Sequence, residues 1–231
     1  MSLCNTIRFR ATKEVRALVE SGADVNALEL SWLPLVVAAE SGKTDVATLL
    51  LKHGANPNGL DGNGDTPLIA AAKRGKTPVV RLLLKHGADV NPTTPRAITP
   101  LSEAIQGASK GHVAVTQLLI DAGAEVNADY RDTGQTLLML ASKMSSPEMI
   151  ETLVKAGAEI DAVRLQGTAL TCAVLFNMPR NVESLVQHGA DQTLRIPDGY
   201  DPELDGKTVL ELARANRAKT IVQILTGESD E

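Results

Sequence analysis

The motif Gly-Ala-Asp-Val-Asn begins at Gly22 and again at Gly87, with close variants at Gly54 (GANPN), Gly123 (GAEVN), Gly157 (GAEID) and Gly189 (GADQT). Successive starts lie 32, 33, 36, 34 and 32 positions apart. A unit this short cannot bury an apolar face by itself. Recurrence at this period restricts the chain to stacked layers, each completing its neighbour's core. Composition fits that restriction: apolar residues make up 43% of the chain but aromatics only 2%. One large core would draw on aromatic rings, whereas thin layers need only Ala, Leu and Val.

A second signal keeps step with the first. About a dozen positions after most Gly-Ala pairs comes a triplet: Leu33-Pro34-Leu35, Thr66-Pro67-Leu68, Thr99-Pro100-Leu101, Thr136-Leu137-Leu138, Thr168-Ala169-Leu170 and Thr208-Val209-Leu210. Thr before Pro starts a helix, because the hydroxyl caps free N–H groups and Pro fits where no donor is needed. Small residues follow, so each triplet opens a short helix that neighbours can approach closely. A break follows, often at Gly42, Gly75 and Gly111. A second helix then starts near Pro78, Pro147 or Pro179 and carries a stripe such as Val79, Val80, Leu82, Leu83 and Leu84. It stops at Gly-Ala, where Gly permits the left-handed turn. The polar residues before the next triplet suit an extended two-stranded finger.

Helix, turn, helix and finger at about 33 residues is the ankyrin period. The chain resembles the ankyrin-repeat family over nearly its whole length, best over Asp61 to Asn91. The resemblance implies an all-α fold: an ankyrin-repeat solenoid of stacked helix–turn–helix units with β-finger connections. A single array over 1–231 is expected. It divides into an N-terminal capping pair (1–28), repeats at 29–62, 63–95, 96–131, 132–163 and 164–195, and an inserted finger with a C-terminal cap (196–231). The family's His after Thr-Pro-Leu is absent; Val36, Ile69, Ser102, Met139, Thr171 and Glu211 stand there. Three extra residues near Gly107-Ala108-Ser109 are expected to lengthen an inter-helix turn, and seven extra residues around Pro197 and Pro202 to make a protruding finger.

Chemistry finds little purchase. Gly-Lys-Thr occurs at 42–44, 75–77 and 206–208, but a phosphate loop needs Gly five positions earlier, where Val37, Ala70 and Asp201 stand. Asp201, Glu203, Asp205 and Gly206 resemble a calcium loop, yet the twelfth position is Leu212, with Glu211 one place early. His53, His86 and His188 each precede a Gly-Ala and His112 follows Gly111, so they repeat along the stack instead of converging on a metal. Cys172 reads as a small core filler, and no Ser lies in a GxSxG elbow. Neither catalysis nor a cofactor is expected. The two cysteines, Cys4 and Cys172, form no CxxC pair, which fits a reducing, cytoplasmic setting. The N-terminus has no apolar signal region, and no run of about 18 apolar residues could span a membrane. With 23 basic against 28 acidic residues, the net charge is −5, so nucleic acid is not the expected partner.

The resemblance implies that a protein partner binds the concave face, built from the fingers and the ends of the first helices. Read onto this sequence, that face holds Leu30, Trp32, Leu60, Ile98, Tyr130 and Tyr200 in fingers, and Lys73, Arg74, Lys143, Met144, Leu175 and Phe176 at helix ends. Four of the five aromatics, all but Phe9, are expected there as interface anchors. The face reads basic in the middle and apolar towards the C-terminus, complementing a partner with acidic residues beside an apolar or helical segment. The expected role is a monomeric, non-catalytic scaffold. The alternatives are a host-directed effector or inhibitor, and a substrate of asparaginyl hydroxylation, known in the family, at Asn26, Asn91 and Asn127.

Overall fold

The triplets open helices for a reason visible in their first turns. Thr66, extended at φ −82°, accepts the N–H of Ile69 at 3.2 Å, and Pro67 follows it. Thr99, Thr136, Thr168 and Thr208 cap in the same way. Ser102, Thr171 and Glu211 occupy the place of the family's His. Each reaches back to accept the N–H of its capping Thr, closing a capping box.

The structure, a computed structural model, describes residues 2–107, 109–131, 133–199 and 201–228. Fourteen helices lie among them, in two compact units, Met1–Glu125 and Val126–Glu231. In the first unit α1 (Leu3–Phe9) pairs with α2 (Thr12–Glu20), α3 (Pro34–Ser41) with α4 (Thr44–Lys52), α5 (Pro67–Lys73) with α6 (Thr77–Lys85) and α7 (Pro100–Ile105) with α8 (Lys110–Asp121). The first helices stack as α1–α3–α5–α7 and the second as α2–α4–α6–α8. The second unit begins with β1 (Asp129–Tyr130) antiparallel to β2 (Gln135–Thr136), Asp129 facing Thr136 and Tyr130 facing Gln135. There α9 (Leu137–Met144) pairs with α10 (Pro147–Lys155), α11 (Ala169–Leu175) with α12 (Pro179–Gln187) and α13 (Val209–Ala215) with α14 (Lys219–Thr226). The stacks are α9–α11–α13 and α10–α12–α14.

First helices flanked by neighbours are buried nearly all round: every residue from Pro67 to Ala72, from Leu137 to Ser142 and from Ala169 to Val174. The second helices bury one stripe, such as Val79, Val80 and Leu83, or Met149, Ile150 and Leu153. The described core holds no aromatic side chain, and Cys172 is a buried filler within it. No described helix is long and apolar enough to cross a membrane.

Three expectations need correction. Of the fingers, only β1–β2 is two-stranded among the described residues. Glu29–Trp32, Arg164–Gly167 and Arg195–Thr208 are single bridges. Elsewhere side chains stand in for the ladder. Asp61 Oδ1 accepts the N–H groups of Asn63 at 2.8 Å and Asp65 at 3.0 Å, and the Thr94 hydroxyl bonds both the N–H and the carbonyl of Ile98. The three-residue insertion goes into helix, not turn: α8 has 12 residues where α6 has 9. Ala108, within the segment expected to lengthen, lies outside the described residues. Gly111 is not a break either. It lies in the first turn of α8, where a Cβ would fall 2.7 Å from the Gly75 carbonyl oxygen, so close approach demands glycine.

Candidate binding surface

In the first unit the finger at 29–32 turns through Leu30 and Ser31, both left-handed at φ 48° and 72°. Leu30, at 88% exposure, touches little; Leu60 and Leu28 are exposed as well. Trp32 is half-buried, with the Arg8 guanidinium 4.0 Å from its ring centroid. Beside it lies a recess of about 150 Å³ walled by Trp32, Val36, Asp61, Asp65, Lys73 and Arg74. Burial pushes the Asp65 carboxyl up, more than Arg96 and Lys73 pull it down.

The expected basic middle is not basic. Arg74 pairs with Glu40 at 2.7 Å, Arg96 with Asp65 at 2.6 Å, and Lys73 with Glu103 at 3.7 Å. Each cation meets an acid from a neighbouring repeat, so Lys73 and Arg74 are exposed members of a balanced network. Ile98 is a second correction. It is 1% exposed, drawn inward by its two bonds to Thr94, and offers a partner nothing.

In the second unit Lys143 ties the surface together. Its Nζ donates to Gln135 Oε1 at 2.9 Å and Gln166 Oε1 at 2.7 Å, and lies 5.4 Å from the Phe176 ring centroid. Phe176 caps the end of α11 at 56% exposure; Met144 is exposed and Leu175 half-buried. Tyr130 is half-buried, with the Arg131 guanidinium 4.9 Å from its ring. Tyr200 lies outside the described residues. Phe9, set apart from the surface aromatics in the sequence reading, is 78% exposed.

Sequence reasoning missed Val163 and Leu165, both exposed. Leu165 stands three places before Thr168 as Leu30 stands three before Leu33, so the repeat register could have found it. It also missed Asn58. Asn26, Asn58, Asn91 and Asn127 form ladders: each side-chain amide donates to the Gly carbonyl of the next repeat (Gly54, Gly87, Gly123 and Gly157) at 2.9 to 3.2 Å. Each side-chain oxygen accepts a backbone N–H two residues beyond that Gly. Asp161 continues the series with the acceptor half alone, taking the N–H of Asp191 at 2.9 Å. The expected hydroxylation positions are thus structural bridges.

The histidines also bond locally. His53, His86 and His188 cap α4, α6 and α12, with Nδ1 2.7 to 2.9 Å from carbonyls one turn back. His112 instead bridges Ser109 Oγ at 2.6 Å and the Lys73 carbonyl at 3.1 Å. In the long finger Asp205 accepts the N–H groups of Gly199 and Asp201, and Asp201 that of Glu203. These carboxylates hold their own loop.

A profile for ankyrin repeats matches in three overlapping copies, at residues 3–94, 54–130 and 93–164. The zebrafish (Danio rerio) ankyrin repeat and SOCS box protein 11 is 32% identical over 125 residues, 54% of this chain and 39% of that protein. The chain spans about two fifths or less of the length of the curated relatives it matches. Among solved structures, the ankyrin repeat domain of human ASB11 superposes with a TM-score of 0.83 at 24% identity, covering 100% of this chain and 99% of that one. The ankyrin repeat domain of Bcl-3 gives a TM-score of 0.77 at 25% identity, covering 98% of each chain.

Proposed function

The chain belongs to the ankyrin-repeat family, and from that premise we propose that it is a non-catalytic scaffold holding a protein partner on its fingers and first-helix ends. The ankyrin repeat is in general a protein-interaction module. The finer assignment is to Leu30, Trp32 and Leu60 in the first unit and to Tyr130, Lys143, Met144, Leu175 and Phe176 in the second, with Lys73 and Arg74 at the rim. Tyr200 joins this set on its sequence position alone. The chain acts as a monomer in a reducing compartment, where its two buried thiols remain free.

One observation carries the reading. Leu30 is a leucine in a left-handed conformation, at φ 48°, with almost its whole side chain in water. Both choices cost stability: the backbone by about 1 kcal/mol relative to glycine, the side chain by leaving apolar area unburied. An outlier of this kind on an interaction module supports a partner contact. Phe176 over Lys143 offers the second anchor, because the ammonium is already held by two glutamines and loses little freedom on binding.

The test is quantitative affinity capture from native lysate, with the parent beside a Leu30→Ala/Phe176→Ala double variant. Both residues are exposed, so both proteins fold. A partner depleted at least about tenfold by the variant is expected, the scale of a lost hot spot. Equal capture by both proteins would overturn the surface assignment.

A further inference from the structure

Between the end of α13 and the start of α14 lies a shallow recess of about 450 Å³, lined by Arg214, Arg217, Lys219, Val222 and Gln223. We propose that it docks an acidic amphipathic helix from a partner protein, apart from the finger surface.

Four observations lead there. First, the three cations are exposed and have no ion-pair partner among the described residues, on a chain whose net charge is −5. At the end of α5, by contrast, Lys73 and Arg74 meet carboxylates. Second, Arg217 is left-handed at φ 55°, at the turn position where α3 and α5 are followed by Gly42 and Gly75. Arginine carries a backbone penalty there that glycine does not.

Third, α14, like the other second helices, starts without a side-chain cap. Its N-cap, Ala218, makes no side-chain hydrogen bond, its first turn holds no acid, and Lys219 sits at its positive end. A carboxylate from outside would sit favourably at this positive end and beside both nearby cations. Fourth, the floor is apolar: Val222, half-buried, lies between the aliphatic stems of the three cations, and of α14 Ile221 alone is fully buried. In α11 the counterpart of Arg214 is Val174, buried under its neighbours.

Apolar residues at helical spacing flanked by carboxylates complement this floor and rim. Inorganic phosphate would answer only the cations, and a neutral apolar segment only the floor.

The experiment uses fluorescence anisotropy on the full chain. The probe is a labelled peptide of about 15 residues, long enough for about four helical turns, with Leu on one face and Glu on the others. Binding is expected to weaken about tenfold when salt rises from about 50 to about 500 mM, as screening shortens the reach of the charges. Combined R214E, R217E and K219E should weaken it by at least about thirtyfold, and Val222→Asp about tenfold, with thermal melts of both variants near the parent. A Lys-for-Glu version of the peptide should not bind.

The proposal falls if the charge-reversed variant binds as the parent does. It falls equally if the Lys peptide binds as well, or if Val222→Asp has no effect while millimolar phosphate displaces the probe, which would mark a simple anion site. If the probe binds only after residues 228–231 are deleted, the recess is filled by this chain's own acidic end and the partner helix is excluded.

Discussion

The asparagine ladder makes a prediction whose sign runs both ways. At four positions an Asn joins a repeat to the next by two hydrogen bonds, and at Asp161 only the acceptor half remains. Asp161→Asn keeps the bond from the Asp191 N–H and adds a donor facing the Gly189 carbonyl. It also removes a carboxylate set beside that carbonyl and Asp191. A neutral hydrogen bond contributes about 0.5–1.5 kcal/mol net, and this site is exposed, so a gain of about 0.5–1 kcal/mol is expected. For a chain of this size that corresponds to about 1–4 °C in Tm. The converse, Asn58→Asp, loses the 3.2 Å bond to Gly87 and sets a carboxylate against that carbonyl. It should cost about 1–2 kcal/mol at neutral pH. Part of that loss should return near pH 3, where an ordinary Asp carboxyl, with pKa about 3.9, is protonated and can donate. Urea and thermal denaturation of both variants and the double variant would test this. A neutral or destabilised Asp161→Asn, or an Asn58→Asp indistinguishable from the parent at pH 7, would refute the ladder's energetic role.

Other consequences follow from single contacts. Glu29 receives the Ser2 hydroxyl and the N–H groups of Leu3 and Cys4 at the start of α1; burial works to raise its pKa, but these bonds outweigh it and the net shift is down. A depressed folded pKa gives stability that is present above the ordinary Glu value and lost as pH falls through the folded one. Glu29→Gln should therefore cost about 1 kcal/mol at pH 7, with the gap to the parent closing below about pH 4.5 in urea titrations. Asn181, buried at the place of Val79 and Val115, donates to the carbonyls of Ser142 at 3.1 Å and Ser145 at 2.9 Å. Asn181→Val should cost about 2 kcal/mol by orphaning them, read as a lower urea midpoint at unchanged slope. Burial pushes the thiol of Cys4 up to about 12, helped by Glu29, and that of Cys172 to about 11. Neither should react with a disulfide reagent at pH 8 until denaturant opens the fold. Leu30→Gly should raise stability by up to about 1 kcal/mol while weakening partner capture; a loss of stability would remove the argument from strain.

What was legible in the sequence was what repeats within one unit. Thr66, Pro67 and Gly87 act on residues a few places away, so their roles can be read wherever the pattern recurs. Asn181 shows the limit. The earlier helices α3 and α5 end on Gly42 and Gly75, whose left-handed turns close the last carbonyls. Helix α9 ends on Ser145, extended at ψ 179°, and lacks that closure. The missing glycine was visible at 144–146, but the side chain that compensates lies more than a period away, on α12. Ile98 failed for a similar reason: its exposure was inferred from finger position, and the Thr94 side chain folds that finger inward.

The misread basic patch points to a better rule. In a stack, the neighbour of a residue is not the next residue but the one a period away. Glu40 meets Arg74 across 34 positions, Asp65 meets Arg96 across 31, and Asn26 meets Gly54 across 28. Charges must therefore be cancelled at one-period offset before any patch is named. Applied to Lys73 and Arg74, the rule removes the patch, because Glu40 and Glu103 stand on either side. Applied to Arg214, Arg217 and Lys219, it leaves the charge in place: at the equivalent positions of the previous repeat, 40 residues earlier because of the long finger, stand Val174, Asn177 and Pro179, none of them acidic. Positive charge that survives this cancellation on an acidic chain, beside half-buried Val222, is charge open to a partner.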